Sequence, residues 1–180
     1  MQIIAGGPYE EHSAVQQFFF SAMVSAKERI YVATPYFIPD RGILTALKNA
    51  ALSGIDVRIL LPGPKTDSVI VQRASLTYAK DLMKAGVRVY LYKKGFMHAK
   101  TMLIDRSLAS VGSANMDMRS MFANFEVLAV LFDPELVRRI ESDFEKDLLN
   151  SAELDWRELE NQPRMVRFKY AAARLLAPLL

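Results

Sequence analysis

His98 and Lys100, followed by Asp105, Gly112, Ser113 and Asn115, are the residues of this 180-residue chain whose types and spacing could do chemistry. An imidazole titrates near neutral pH and can act as nucleophile or general base. An ammonium group two residues on supplies positive charge to an anionic phosphoryl group in its transition state. A serine hydroxyl and an asparagine amide can hold the non-bridging oxygens. No acidic cluster that could carry a divalent metal accompanies them. Phosphoryl transfer without a metal or cofactor is the chemistry expected.

Positioning these groups calls for a hairpin. Residues 101–104 and 108–111 are strand-like, and Asp105-Arg106-Ser107 between them is good turn chemistry. With Arg106 and Ser107 as the two central turn residues, Asp105 pairs with Leu108, Lys100 with Ser113 and His98 with Asn115. Side chains alternate along a strand and cross-strand partners point the same way, so the four polar groups converge at one end. Asp105 falls at the other end, on the order of 20 Å away at ~3.3 Å per residue, and is expected to be structural. A single histidine beside a strand is more often structural than catalytic, but the fixed spacing of six residues reverses that preference.

Around the hairpin, strand and helix patterns alternate. Strands are predicted at 2–5, 29–34, 57–61, 87–92 and 126–132, the last apolar enough to be buried on both faces. Helices are predicted from about Glu10 to Lys27, over 42–53 before Gly54, from a cap at Asp67 to about Lys84, and over 134–149 after Asp133. The pattern indicates an α/β fold, a sheet flanked by helices on both faces. Residues 1–150 read as one domain, and 151–180 as a helical tail. In that tail Arg164, Arg167, Lys169 and Arg174 alternate with apolar residues, and no acid follows Glu160. Such a tail can lie on an anionic membrane or dock on its own domain. Tyr36 and Pro39 follow a strand, where α/β sheets place ligand loops, and Lys65 and Asp67 lie in the loop after Pro62-Gly63-Pro64; each could equally be packing.

Composition sets outer limits. Hydrophobic residues make up 51% of the chain, enough for a sizeable core, and the formal charge of +3 permits an anionic partner without demanding one. With no cysteine and two histidines, disulfides, thiolate metal sites and histidine-rich metal sites are excluded. No run approaches the roughly 20 apolar residues of a membrane span, and the N-terminus lacks the layout of a signal peptide. A soluble, peripheral chain on the cytoplasmic side is expected.

The pattern His98-x-Lys100-x4-Asp105-x6-Gly112-Ser113-x-Asn115 resembles the signature of the phospholipase D superfamily. The stretches 34–40, 60–67, 112–120 and 124–126, together with the closing 173–180, are similar to the C-terminal half of bacterial cardiolipin synthases. The resemblance implies a phospholipase D-like mixed sheet and a phosphohistidine mechanism. One histidine attacks phosphorus; a second, from another copy of the motif, protonates the leaving alcohol and activates the incoming one. It further implies that two phosphatidylglycerols are joined with release of glycerol at a cell membrane. The implied set is His98, Lys100, Asp105 and Glu126 as the catalytic constellation, with Ser113 and Asn115 binding phosphate. Glu126 would hydrogen-bond the far nitrogen of the histidine. Only one motif is present here, since His12 has no lysine two residues on. The site is therefore half a site. Its partner would be a second motif-bearing domain or a second copy of the chain. Alternatives are a homodimeric phosphodiesterase or nuclease, or a half-domain inactive alone; nucleic acid is disfavoured because no dense Lys/Arg cluster flanks the motif.

Overall fold

A computed structural model describes residues 1–9 and 11–177. Eight strands form one mixed sheet: β1 (Gln2–Gly6), β2 (Arg29–Ala33), β4 (Asp56–Pro62), β5 (Arg88–Tyr92), β6 (Thr101–Ile104), β7 (Leu108–Gly112), β9 (Glu126–Leu131) and β10 (Ser151–Glu153). Their order across the sheet is β1-β9-β7-β6-β2-β4-β5-β10, while β3 (Phe37–Ile38) and β8 (Met116–Asp117) form a small parallel pair. β2, β4 and β5 run parallel, as strands joined by helical crossovers do; the others pair antiparallel.

Helices cover both faces of the sheet. α1 (Ala14–Ser25), α2 (Arg41–Leu52) and α3 (Val69–Met83) pack Phe19, Leu47 and Leu82 onto one face with Ile30, Val32 and Met102. α5 (Pro134–Leu149) covers the other, packing Val137 and Phe144 against Tyr31, Leu60 and Leu103. Every residue of β2 is buried because it lies between the two layers. Among the described residues there are three further helices, α4 (Met118–Phe122), α6 (Trp156–Glu160) and α7 (Arg164–Leu176).

Several expectations need adjustment. α1 starts after Ser13, whose hydroxyl accepts the Gln16 N–H at 3.1 Å, and residue 10 lies outside the described residues. The cap of α3 is Ser68, not Asp67: its hydroxyl accepts the Val71 N–H at 3.4 Å, and the Asp67 carboxylate instead accepts from Tyr36. β9 is not buried on both faces, because α5 does not reach its start and Val127 is 49% exposed. Beyond residue 150, β10 pairs with β5 in the main sheet and α7 packs on α3 through Ala173 and Ala177. Residues 178–180 of the expected tail lie outside the described residues.

Candidate active site

The hairpin that carries the motif is present, but its register differs by one residue from the two-residue turn expected. Ile104 pairs with Leu108 and Thr101 with Val111, so the loop has three residues, Asp105, Arg106 and Ser107. The cause is Asp105 itself. It takes φ +52°, a left-handed conformation that Asp tolerates better than most residues, and its carboxylate is held by a neighbouring loop. That carboxylate accepts the backbone N–H groups of Glu28 at 2.8 Å, Arg29 at 3.0 Å and Lys27 at 3.1 Å. The Arg29 guanidinium returns a hydrogen bond to the Asp105 carbonyl at 2.9 Å. Burial works against the charge on Asp105, but the three N–H donors outweigh it and hold its carboxyl below the usual value. Asp105 therefore clamps the turn to the loop between α1 and β2, at the end of the hairpin away from His98 and Lys100.

A one-residue slip ordinarily sends a strand's side chains to the opposite face. Here Gly112, not Ser113, lies opposite Lys100, with the Gly112 N–H donated to the Lys100 carbonyl at 3.3 Å. Regular alternation would turn Ser113 away from Lys100. Ser113 is instead tied to β9, because the ladder ends on its side chain: the Val127 N–H donates to the Ser113 hydroxyl oxygen at 3.0 Å, while the Ser113 N–H donates to the Val127 carbonyl at 3.0 Å. The hydroxyl so held donates in turn to Glu126. Gly112 makes this approach possible. A Cβ there would lie 2.1 Å from the Val127 carbonyl oxygen and 2.9 Å from the Leu128 Cα, so only glycine lets β7 and β9 come this close.

Two groups of contacts result. The Lys100 ammonium lies 3.3 Å from both ring nitrogens of His98 and 3.3 Å from its carbonyl oxygen, and the ring of Phe96 flanks the imidazole at 5.3 Å between centroids. Beside them, Glu126 receives Ser113 on one carboxylate oxygen and the Asn124 amide on the other at 3.3 Å. Both oxygens of Glu126 are thus engaged by residues other than His98, which departs from the expected carboxylate–imidazole contact. The two groups are linked by charge. Partial burial lowers the Lys100 pKa, against the pull of Glu126, Asp117 and Asp67.

A cleft of about 430 Å³ opens next to these groups, its wall including Tyr36, Ser68, Asn115, Asp117, Arg119 and Asn124. The Asn115 backbone N–H is held by Ser120 at 3.0 Å, whereas its side-chain oxygen is buried without a partner. A buried acceptor of that kind, left without a donor, costs roughly 1–3 kcal/mol. Asp117 caps α4, accepting the Ser120 N–H at 2.7 Å; burial first, then the nearby Glu126 charge, pushes its carboxyl above the usual value. The Tyr36 phenol is pushed up to about 12 by burial and by its hydrogen bond to Asp67, so it stays a donor at any physiological pH.

Of the loop residues singled out, Tyr36 lines the cleft, Pro39 is buried beside β3, and Lys65 is exposed on the loop after β4. Asp117, Asn124 and Arg119 were not identified as site residues from the sequence. Asp117 and Arg119 lie within the stretch that follows Asn115 and carry no spacing signal of their own. Asn124, two residues before Glu126, could have been found by asking what holds that acid. Among the described residues no group of three or more His, Cys, Asp or Glu side chains could hold a metal ion.

Comparison with known proteins places this geometry. A family model described as cardiolipin synthase, phospholipase D-like domain, matches residues 19–148. The cardiolipin synthase of Geobacillus kaustophilus (strain HTA426) is 47% identical over 180 residues, which is 100% of this chain and 36% of the relative. Cardiolipin synthase 1 of Bacillus anthracis is 46% identical over the same span, 35% of its length. The chain thus spans about a third of the length of these relatives, and corresponds to their C-terminal part. Among solved structures, phosphatidylserine synthase from Haemophilus influenzae Rd KW20 superposes with a TM-score of 0.81 at 16% identity, covering 99% of this chain and 47% of the other. The phospholipase D family member Nuc from Salmonella typhimurium superposes at 0.70 and 20% identity, covering 85% and 97%. At these identities the likeness is one of fold.

Proposed function

The chain belongs to the cardiolipin synthase, phospholipase D-like domain family, and from that premise we propose that it supplies one half of a phosphatidyltransferase site that joins two phosphatidylglycerols and releases glycerol. A ring nitrogen of His98 attacks phosphorus, and the bond from phosphorus to the headgroup glycerol oxygen breaks as the P–N bond forms. The leaving oxygen takes a proton from an acid on the second half-site. That same group then removes a proton from the terminal hydroxyl of a second phosphatidylglycerol, whose oxygen attacks phosphorus and frees His98. Lys100 offsets charge on the non-bridging oxygens. Asn115 offers its amide N–H to the phosphate, and Ser113 offers its hydroxyl once that proton turns from Glu126 to the ligand.

What supports this reading is the pairing of His98 with Lys100 and of Ser113 with Glu126 on the strands that carry the motif, with Asn124 joining Glu126 to an open cleft. The need for a second half is supported by the surface next to it. Ile3 and Val111 both pair with Ala129, and Val127 is two residues from Ala129, so all three share the sheet face that α5 leaves uncovered. They are 56%, 38% and 49% exposed, and Phe125 beside them is 75% exposed. An apolar face adjoining an incomplete site fits a second motif-bearing domain or a second copy of the chain.

The test is turnover on phosphatidylglycerol vesicles, scoring cardiolipin and glycerol over a range of protein concentration against a His98→Ala control. Activity that needs His98 and climbs faster than linearly with concentration supports a second copy. Activity that appears only when the N-terminal motif domain is added supports a two-domain site. Formation of phosphatidic acid alone would replace transfer with hydrolysis.

A further inference from the structure

α7 is apolar on two sides, and its inward side is already occupied. Ala173 and Ala177 are buried with Ile38, Val71 and Ala74, and Arg174 anchors the helix to α3 through Asp81 at 2.7 Å and the ring of Tyr78 at 4.7 Å. At 100° per residue, Phe168 and Leu175 fall on the opposite side, and Met165 and Leu176 on the flank beside them. They are 69%, 83%, 68% and 48% exposed. A surface helix of a globular protein ordinarily shows one apolar stripe, so this second stripe is unexplained by the fold.

Its charge identifies what covers it. Arg164 and Lys169 border the outward stripe, and Arg167 lies on the flank. Among the described residues none of the three has a carboxylate within ion-pair distance, whereas Arg174 on the inner side is paired. α7 holds no acidic residue. An apolar stripe bordered by unpaired cations suits an anionic bilayer surface, where the apolar side chains enter the acyl boundary and the cations meet headgroup phosphates. Another protein surface of ordinary composition would leave those cations to be desolvated. Among the described residues no helix is long and apolar enough to cross a membrane, so attachment through α7 would run along the surface. The placement also fits the cleft. The C-terminal end of α7 packs near Val71 at the start of α3, and Val71 with Ser68 lines the cleft that holds Asn115. Exposed Val69 and Ile70 lie at that same end of α3.

We propose that the outward face of α7 is a membrane-docking surface that lays the chain on anionic lipid. This does not depend on the catalytic reading: His98→Ala is expected to bind like the unaltered chain. The test is cosedimentation of the 180-residue chain with phosphatidylcholine vesicles, with and without phosphatidylserine, with folding checked by circular dichroism. The chain is expected to bind only the anionic vesicles. Phe168→Gln with Leu175→Gln, both at exposed positions, should weaken binding about tenfold. Arg167→Glu with Lys169→Glu should weaken it about fivefold or more per position. Phe168→Trp should give a blue-shifted emission on adding anionic vesicles. The proposal is overturned by vesicle binding that the glutamine pair leaves unchanged, by binding of the Phe168→Trp variant without a blue shift, or by no binding. Self-association that the glutamine pair abolishes, in a chain indifferent to vesicles, would assign the stripe to a second copy and overturn it as well.

Discussion

At the scale of single residues, the site separates groups that react from groups that hold. His98 is exposed and touched by Lys100, and on the proposed mechanism it is the nucleophile. His98→Ala should lower cardiolipin formation by on the order of 10³-fold or more while leaving the melting temperature unchanged. Glu126 reaches the chemistry through Ser113. Glu126→Gln keeps its size but weakens the grip on the Ser113 hydroxyl, and should lower kcat about 10–100-fold with a smaller change in KM. Equal loss in the two constants would remove that positioning role. His98, Lys100, Ser113 and Asn115 were legible as candidates in the sequence because they belong to one spaced pattern, and Glu126 through the resemblance of 124–126. Asp117 and Asn124 were not, since what brings them to the cleft is the pairing of β3 with β8 and the short turn before β9, and neither leaves a periodic trace.

Among the elements, the hairpin that carries the motif is present, in a register that differs from the one expected. A two-residue turn would have put Ser113 opposite Lys100. The observed three-residue loop puts Gly112 there, and Ser113 instead closes the ladder with its hydroxyl. Gly112→Ala should destabilise the chain by about 1–3 kcal/mol, since its Cβ has no room against Val127. For a chain of this size that is ~2–4 °C of melting temperature per kcal/mol. Asp105→Ala should cost about 1–2 kcal/mol by leaving three backbone N–H groups without their acceptor, with turnover per folded molecule unchanged. The Asp105 carboxyl has a lower pKa folded than unfolded, so its contribution is present above the unfolded value, near 3.9, and fades as pH falls through the folded one. Melting curves of the two proteins should therefore differ at neutral pH and draw together in acid. A gap that persists unchanged to low pH would mean the carboxylate charge is not what the clamp uses.

The whole molecule is a folded sheet-and-helix unit with two unfinished surfaces. The first is the apolar sheet face beside the motif, where Ile3, Val111 and Val127 lie open. Replacing Val111 and Val127 by Thr should leave the fold intact and flatten the dependence of turnover on protein concentration, or on the added N-terminal domain. The second is the outward stripe of α7. The sequence made the basic amphipathic character of this segment plain, but left membrane contact and docking on its own domain as rivals. The helix has two apolar sides, and periodicity measured over one stripe cannot count two. Fold class was legible for a simpler reason. The alternation of apolar runs and capped helices leaves few arrangements other than a helix-covered sheet, and the order of its strands comes from pairings that no local pattern encodes.

The most direct test of the central claim is to find where phosphatidyl resides during turnover. The chain, with whatever second half sustains cardiolipin formation, would be mixed with phosphatidylglycerol, quenched under denaturing alkaline conditions and mapped by peptide mass spectrometry. A phosphatidyl adduct on the imidazole of His98, absent from His98→Ala together with activity, is the result predicted. Cardiolipin formation with the adduct on another residue of this chain, or undiminished in His98→Ala, would contradict it.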